Sequence, residues 1–261
     1  MQNVSTKTVW WLPDNCTAMQ RVALIVPYRD RAEQLVRFLQ VMVPYLQRQN
    51  LAFAILVVEQ SGIELFNKGR LLNSVYSLAV SMGANCLVFH DVDMLPNSDV
   101  IDYSCTEEGP RHLGALVDTI GYVLISKNLM GGVTQFTLRQ FERVNGWSNL
   151  YWGWGGEDED MGKRVQYAKM RIIRNPKETQ FGYTMSNHTK RSWTSHALTY
   201  KLLGRSFRRW RMDGLTGQSG QAESSWKILD VSVVNQTFVH VLVDVGLPPV
   251  GMRAASSTVK P

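Results

Sequence analysis

The chain has 261 residues, 44% of them hydrophobic and 19% charged, with a formal net charge of +6. That composition belongs to a globular protein able to bury a real core as one largish domain or two small ones, and no apolar run reaches the roughly 18 residues of a membrane-spanning helix. The modest positive charge suits an anionic ligand, such as a nucleotide diphosphate or an acidic glycan, and does not call for nucleic acid.

Residues 1–12 lack the basic-then-apolar plan of a signal peptide, so the sequence reads as cytosolic or as separated from its targeting segment. Three cysteines are too few for a disulfide scaffold. A bridge between Cys86 and Cys105 would close a loop of about twenty residues, worth roughly 3 kcal/mol in the chain-entropy model. Glycosylation sequons begin at Asn3, Asn15, Asn187 and Asn235, and together they tilt the chain toward a secretory compartment.

Residues 21–27 form a continuous apolar run, the pattern of a strand buried on both faces. Tyr28-Arg-Asp-Arg31 follows at its C-terminal end, where open α/β sheets place ligands. Leu35, Phe38, Leu39, Met42 and Leu46 then recur at helical spacing. A second buried strand is predicted at 53–58, with Glu59-Gln-Ser-Gly62 as its turn. Leu71, Leu72, Val75, Leu78, Ala79 and Met82 predict a second helix, ended by Gly83. A third strand at 86–89 delivers His90-Asp-Val-Asp93 at its exit. This rhythm predicts a parallel, right-handed βαβαβ core.

After residue 95 the rhythm breaks. Residues 110–113 and 121–125 read as strands around a loop, 128–133 as a glycine turn, and 137–144 as a short helix ended by Asn145-Gly146. The polar stretch 173–225 has few periodic apolar positions and reads as a long functional loop, most simply a lid. Residues 226–234 and 238–245 predict a closing antiparallel hairpin, and the tail from 251 is expected to be loose. Three parts follow: an extension over 1–12, a catalytic domain over 13–250 and a tail over 251–261.

The most unusual stretch is Tyr151-Trp-Gly-Trp-Gly-Gly-Glu-Asp-Glu-Asp160. A core would bury the tryptophans and exclude the acids, and a solvated face has little use for two tryptophans among three glycines. Glycine lets backbone approach a ligand, tryptophan offers a flat surface, and carboxylates take protons or metals. The plainer reading is an acid-rich first helical turn, favoured by the macrodipole. In Asp91-Val-Asp93, a strand geometry would point both carboxylates at one site as hard ligands for Mn²⁺ or Mg²⁺, although a turn with local acceptors explains them equally. Met185-Ser-Asn-His188 places a thioether and an imidazole three residues apart, an unusual pair for manganese. Arg29, Arg31, Lys68 and Arg70 are candidate phosphate grips or plain solvated charge. Arg205, Arg208, Arg209 and Arg211, with Phe207 and Trp210, suit a basic flank around an acceptor better than a nucleic-acid surface.

Taken in order, Pro27-Tyr-Arg-Asp-Arg31, Phe66-Asn-Lys-Gly-Arg-Leu-Leu-Asn73, Asp91-Val-Asp-Met94, Pro110-Arg-His-Leu113, Met130-Gly-Gly-Val133, residues 151–158, Met185-x-x-His188 and Val243-Asp-Val-Gly246 carry a resemblance. From about residue 13 to about 250 the chain resembles the catalytic domain of the β-1,4-galactosyltransferase family. The resemblance implies the GT-A fold, an α/β, Rossmann-like, mostly parallel sheet with flanking helices. It also implies an Mn²⁺-dependent enzyme that transfers a sugar from a UDP-sugar with inversion. By the same resemblance Asp93, Met185 and His188 would be the metal ligands. Pro27, Tyr28, Arg29, Arg31, Phe66, Lys68, Val92, Asp93 and Trp154 would hold the donor. Asp158 would be the base that deprotonates the acceptor hydroxyl, with Glu157 beside it. Leu129, Gly132, Trp154, Gly156, Glu157, Glu159 and Tyr200 would line the sugar-binding site. Cys86 and Cys105 match a bridge of the family, and Cys16 a second bridge whose partner lies upstream.

Three departures from the family pattern bear on specificity. Glu159 stands where a third Asp is common, which shifts acceptor contacts and leaves the base intact. Leu129 stands where galactosyl enzymes carry Tyr beside the donor C2 substituent, and this tilts the donor toward UDP-GalNAc over UDP-Gal. Ser126 also replaces a usual aromatic acceptor contact. The expected function is transfer of GalNAc, or Gal, to the 4-hydroxyl of a terminal GlcNAc-type acceptor on glycoproteins or glycolipids. The family implies a Golgi lumenal enzyme with an anchor upstream, or a soluble form of it. The alternatives are a galactosyltransferase and, from another class, a non-catalytic UDP- or glycan-binding protein on the same fold.

Overall fold

The computed structural model describes residues 9–186, 196–216, 226–235 and 237–249. His188, the sequons at Asn3 and Asn187, parts of the 173–225 stretch and the tail from 251 lie outside the described residues. The first half alternates strand and helix as predicted: β1 (Arg21–Tyr28), α1 (Ala32–Gln47), β2 (Ala52–Gln60), α2 (Lys68–Ser74), α3 (Tyr76–Ser81) and β3 (Cys86–His90). There follow β4 (Met94–Pro96), β5 (Arg111–His112), β6 (Val133–Thr137), α4 (Leu138–Arg143) and α5 (Glu157–Tyr167). Then come β7 (Ile173–Arg174), β8 (Tyr183–Met185), α6 (His196–Gly204), α7 (Ser206–Arg209), β9 (Lys227–Asn235) and β10 (Phe238–Asp244).

Eight strands form one sheet in the order β7-β5-β6-β3-β1-β2-β10-β9, and β4 with β8 makes a separate two-stranded ribbon. The centre is parallel, with β1 between β2 and β3 and β10 alongside β2. The edges turn antiparallel, β9 on β10 and β6 on β3. The continuous apolar runs explain the centre. Ala23, Ile25, Ala54, Leu56, Leu87 and Phe89 enter one core, whereas Val22, Leu24, Phe53, Ile55 and Val88 enter the other. A strand must be apolar on both faces to be buried this way. Phe38, Met42 and Leu46 of α1 cover one face, and Leu71, Leu72, Ala79, Phe141, Met161 and Val165 cover the other. Parallel pairing puts the exits of β1, β2 and β3 on one edge, where the site lies.

Four expectations differ from the fold. The predicted helix over 71–82 is two helices, because Val75 sits at φ −97°, ψ 3°. Just before it, Ser74 bonds back to the Leu71 carbonyl, a local bond of the kind that bends helices, and Asn73 is tied to the distant Trp147 carbonyl. Residues 121–125 are no strand: Gly121 and Tyr122 are left-handed, and Val123 and Ile125 face solvent. Residues 133–137 are a fully buried strand despite their threonines and glutamine, since β3 supplies an antiparallel ladder. Finally, Val9 is buried and Trp11 pairs with Phe53, so residues 9–11 of the supposed extension pack on the body. Within the lid-like stretch, the described residues contain α6 and α7. Cys86 and Cys105 are disulfide-bonded, while Cys16 is exposed and unbonded. No helix among the described residues is long and apolar enough to cross a membrane.

Candidate active site

The acid run is the N-terminus of α5, with Glu157, Asp158, Glu159 and Asp160 in its first turn. Gly156 precedes it at φ +96°, and a Cβ there would meet Thr199 at 2.5 Å and the Tyr151 ring at 2.7 Å. That close approach, with a backbone geometry that side chains disfavour, explains the glycine. Both readings of the run therefore hold, since the helix start presents the acids to the sheet edge.

Asp158 is boxed on three sides. Its Oδ1 lies 3.3 Å from Lys68 Nζ, and its carbonyl accepts a bond from the Met130 N–H at 3.1 Å. Gly131 lies against the carboxylate so closely that a Cβ there would sit 2.2 Å from Oδ2. The Asp158 side chain remains 26% exposed, enough for a ligand to reach it. Burial, offset by Lys68 and reinforced by Asp91, pushes its pKa up. Glu157 is buried, with Oε2 lacking a hydrogen-bond partner among the described residues. Burial and the Asp158 charge raise its pKa to about 8.

Lys68 opens α2, where the Asn67 side chain caps the helix by accepting from Arg70 N–H at 2.9 Å. Its ammonium lies 2.9 Å from Asp91 Oδ1 as well as against Asp158. Burial opposes the lysine charge, but Asp158, Asp91 and Glu157 outweigh it and hold the pKa above the ordinary lysine value. Arg29 donates to the Glu64 carbonyl at 2.6 Å and lies over the Phe66 ring, and its burial lowers its pKa.

The 91–94 segment is a turn, closed by the Met94 N–H donating to the Asp91 carbonyl at 3.2 Å. Strand alternation thus does not govern Asp91 and Asp93. Asp91 goes to Lys68, and Asp93 Oδ2 lies 3.0 Å from Arg31. The β4–β8 ribbon pairs Met94 with Met185, and Ser186 N–H donates to the Asp93 carbonyl at 2.9 Å. Asp93 and Met185 are thereby neighbours along facing backbone, and His188 lies outside the described residues. Among the described residues no three His, Cys, Asp or Glu side chains gather as a metal cluster.

The remaining candidates are spread around this centre. Pro27 and Tyr28 end β1, and Val92 is buried in the turn. Leu129 is half-buried, its carbonyl accepting from Arg174 at 3.1 Å. Gly132 is left-handed and abuts Met94. Glu159 is half-buried, whereas Trp154 and Tyr200 are exposed.

Sequence reasoning missed what holds α5 in place. Asp160, two residues beyond Asp158, is fully buried and binds Arg164 Nε at 2.6 Å and Arg209 at 2.7 Å. Asp213 completes the set, 3.0 Å from Arg164 and in contact with Arg209. Burial alone would raise the Asp160 pKa, but the two arginines lower it. Arg209, expected in a basic flank around the acceptor, is instead part of this buried set. Only the Arg164–Asp160 spacing of four residues was available as a signal.

Two family models match the chain. Residues 1–106 match the one described as the N-terminal region of glycosyl transferase group 7, and residues 111–189 the one described as the N-terminal domain of galactosyltransferase. Beta-1,4-galactosyltransferase 4 of Rattus norvegicus is 39% identical over 234 residues, which are 89% of this chain and 65% of that protein. The chain thus spans just under two thirds of that relative's length. Among solved structures, the catalytic domain of Drosophila beta-1,4-galactosyltransferase 7 in complex with xylobiose gives a TM-score of 0.72 at 27% identity, covering 87% of this chain and 95% of that one. A mutant of the same Drosophila enzyme in complex with manganese, UDP-Gal and xylobiose gives 0.69 at 25% identity over the same shares, 87% and 95%. The mixed sheet with its acid-bearing edge is thus the GT-A fold. The chain belongs to the β-1,4-galactosyltransferase family.

Proposed function

We propose that the chain is an inverting β-1,4-glycosyltransferase that takes GalNAc or Gal from a UDP-sugar and places it on the 4-hydroxyl of a terminal GlcNAc-type acceptor. The observation that carries this reading is the boxed, partly open Asp158 carboxylate at the sheet edge, with Asp93 and Met185 brought together nearby. Asp158 takes the proton of the acceptor hydroxyl, whose oxygen forms a bond to C1 of the donor sugar. The bond from C1 to the UDP oxygen breaks on the opposite face, and inversion follows. Arg29, Arg31, Phe66 and Lys68 gather at the exits of β1 and β2 and suit the uridine diphosphate. Val92 is buried in the adjoining turn, and Trp154 offers its exposed ring to a sugar.

The donor set fits a divalent cation: a hard carboxylate from Asp93 and a soft thioether from Met185 lie on facing backbone, with His188 assigned as the third ligand. Manganese is the ion named for the Drosophila relative, and when bound it supplies charge that offsets the departing diphosphate. That complex also holds UDP-Gal and xylobiose, a nucleotide sugar and a saccharide of the kinds proposed here as donor and acceptor. Leu129 favours UDP-GalNAc for this chain. The likeness to the family supports a Golgi lumenal setting, with glycans of glycoproteins or glycolipids as the proposed acceptors.

Asp158→Asn tests the assignment, because the amide keeps the shape and removes the base. Turnover should be abolished while Mn²⁺-dependent retention on UDP-agarose persists. Full turnover in the variant sinks the base, and absence of UDP retention in the unmutated protein sinks the donor reading.

A further inference from the structure

The arrangement around Lys68 goes beyond a grip on phosphate. Its ammonium is fixed at 2.9 Å from Asp91 and 3.3 Å from Asp158, its side chain is only 12% exposed, and it lies 5.8 Å from the centre of the Trp147 ring. Helix α2 cannot slide, since the buried Asn67 caps it and also donates to the Asn149 carbonyl at 3.0 Å. On the far side of Asp158, Gly131 leaves no room for the carboxylate to swing away.

We infer that Lys68 is a positioning residue of the base: held between Asp91 and Asp158, its ammonium aims the Asp158 carboxylate and keeps it ready to take a proton. The inference rests on the reading of Asp158 as the base. The charges facing Asp158 make the need plain. Asp91 comes from the turn after β3, and Glu157 and Glu159 flank Asp158 on α5 itself. Asp91, Glu159 and burial oppose the charge that the base must carry. Lys68 from α2 is the cation set against them. Without it the carboxylates and burial stand unopposed, and the Asp158 carboxylate is held less ready to take the acceptor proton. A lysine serving the diphosphate alone would need no contact with either carboxylate.

The two roles separate by pH profile. With saturating UDP-sugar and Mn²⁺, kcat/KM for the acceptor is measured across pH for the unmutated protein, Lys68→Met, Lys68→Gln and Lys68→Arg. The acid limb should move to higher pH by at least about one unit in Lys68→Met and Lys68→Gln, which at one unit is a tenfold change in the proton affinity of the base. Lys68→Arg should restore the limb. Lys68→Gln, which can still hydrogen-bond both carboxylates, serves should Lys68→Met not fold. An unmoved limb accompanied by a raised donor KM overturns the inference and leaves Lys68 as a phosphate ligand. Full turnover by Asp158→Asn would overturn the base reading and this inference with it. Loss of turnover in that variant, beside unmoved limbs in both neutral variants, overturns this inference alone.

Discussion

Leu129, the residue proposed to select the donor, sits on a fixed frame. Its N–H donates to the Ser126 carbonyl at 3.2 Å and its carbonyl accepts from Arg174, so a substitution there changes volume more than backbone. It adjoins Met130 and Gly131, which contact Asp158. Leu129→Tyr should fill space beside the donor C2 group and move the ratio of UDP-Gal to UDP-GalNAc use upward by about tenfold, within the 1–3 kcal/mol that pocket shape commonly supplies. A donor screen with GlcNAc as acceptor reads this directly. Strong preference for UDP-Gal in the unmutated protein, unaltered by the substitution, removes the role given to Leu129.

At the scale of elements, α5 carries the proposed base and is held by contacts that tolerate little change. A Cβ on Gly162 would come 1.6 Å from the Asn128 carbonyl oxygen, so that helix and the 126–130 segment touch backbone to backbone. Gly162→Ala should cost about 1–3 kcal/mol of stability by overpacking and, by displacing residues 128–131 from Asp158, lower kcat/KM at least tenfold. Comparing urea unfolding with turnover separates the two effects; unchanged activity would mean that the segment does not position the base. The Asp160–Arg164–Asp213–Arg209 set locks the same helix from behind. Arg164→Met leaves two carboxylates deprived of a buried partner and should destabilise by about 3–5 kcal/mol. A urea midpoint within error of the unmutated protein would show that Arg209 suffices alone.

For the whole molecule, two buried imidazoles set the acid limit. His90 lies between the Asp91 carbonyl and Tyr103 hydroxyl, both at 2.9 Å, and burial lowers its pKa to about 4. Burial and the Arg174 charge lower that of His112 to about 3. In the unfolded chain both would charge near pH 6.5. Their contribution is therefore present above that pH and is lost as pH falls toward 4 and then 3, because the unfolded state binds more protons. At about 1.4 kcal/mol per unit, the loss is on the order of several kcal/mol. Glu157 acts in the opposite sense, its raised pKa favouring the fold at low pH and losing that advantage as pH rises through 8. Urea unfolding at pH 7 and at pH 4.5 should show the weaker fold at pH 4.5, and His90→Gln should flatten the slope. Equal stability at the two values contradicts the buried-neutral state.

What could be read from the sequence was local. The apolar runs of β1, β2 and β3 specify burial on both faces, the helical stripe of α1 specifies its inner side, and the glycine–acid junction at 155–158 specifies a helix start. These patterns have short periods, and the preferences that produce them act within a few residues. The site motifs were legible as residue types, with Asp158 and Lys68 both singled out. Their meeting across 90 residues was not. Nor could β6 be seen, because Thr134 and Gln135 become strand residues only when β3 offers its backbone. The same holds for the split of α2 from α3 and for Arg209, whose partner Asp160 is 49 residues away. Local chemistry chose the elements, whereas charge pairing and steric fit between distant segments decided which side chains face Asp158. Only the folded chain brings those segments within the few ångströms over which such forces act.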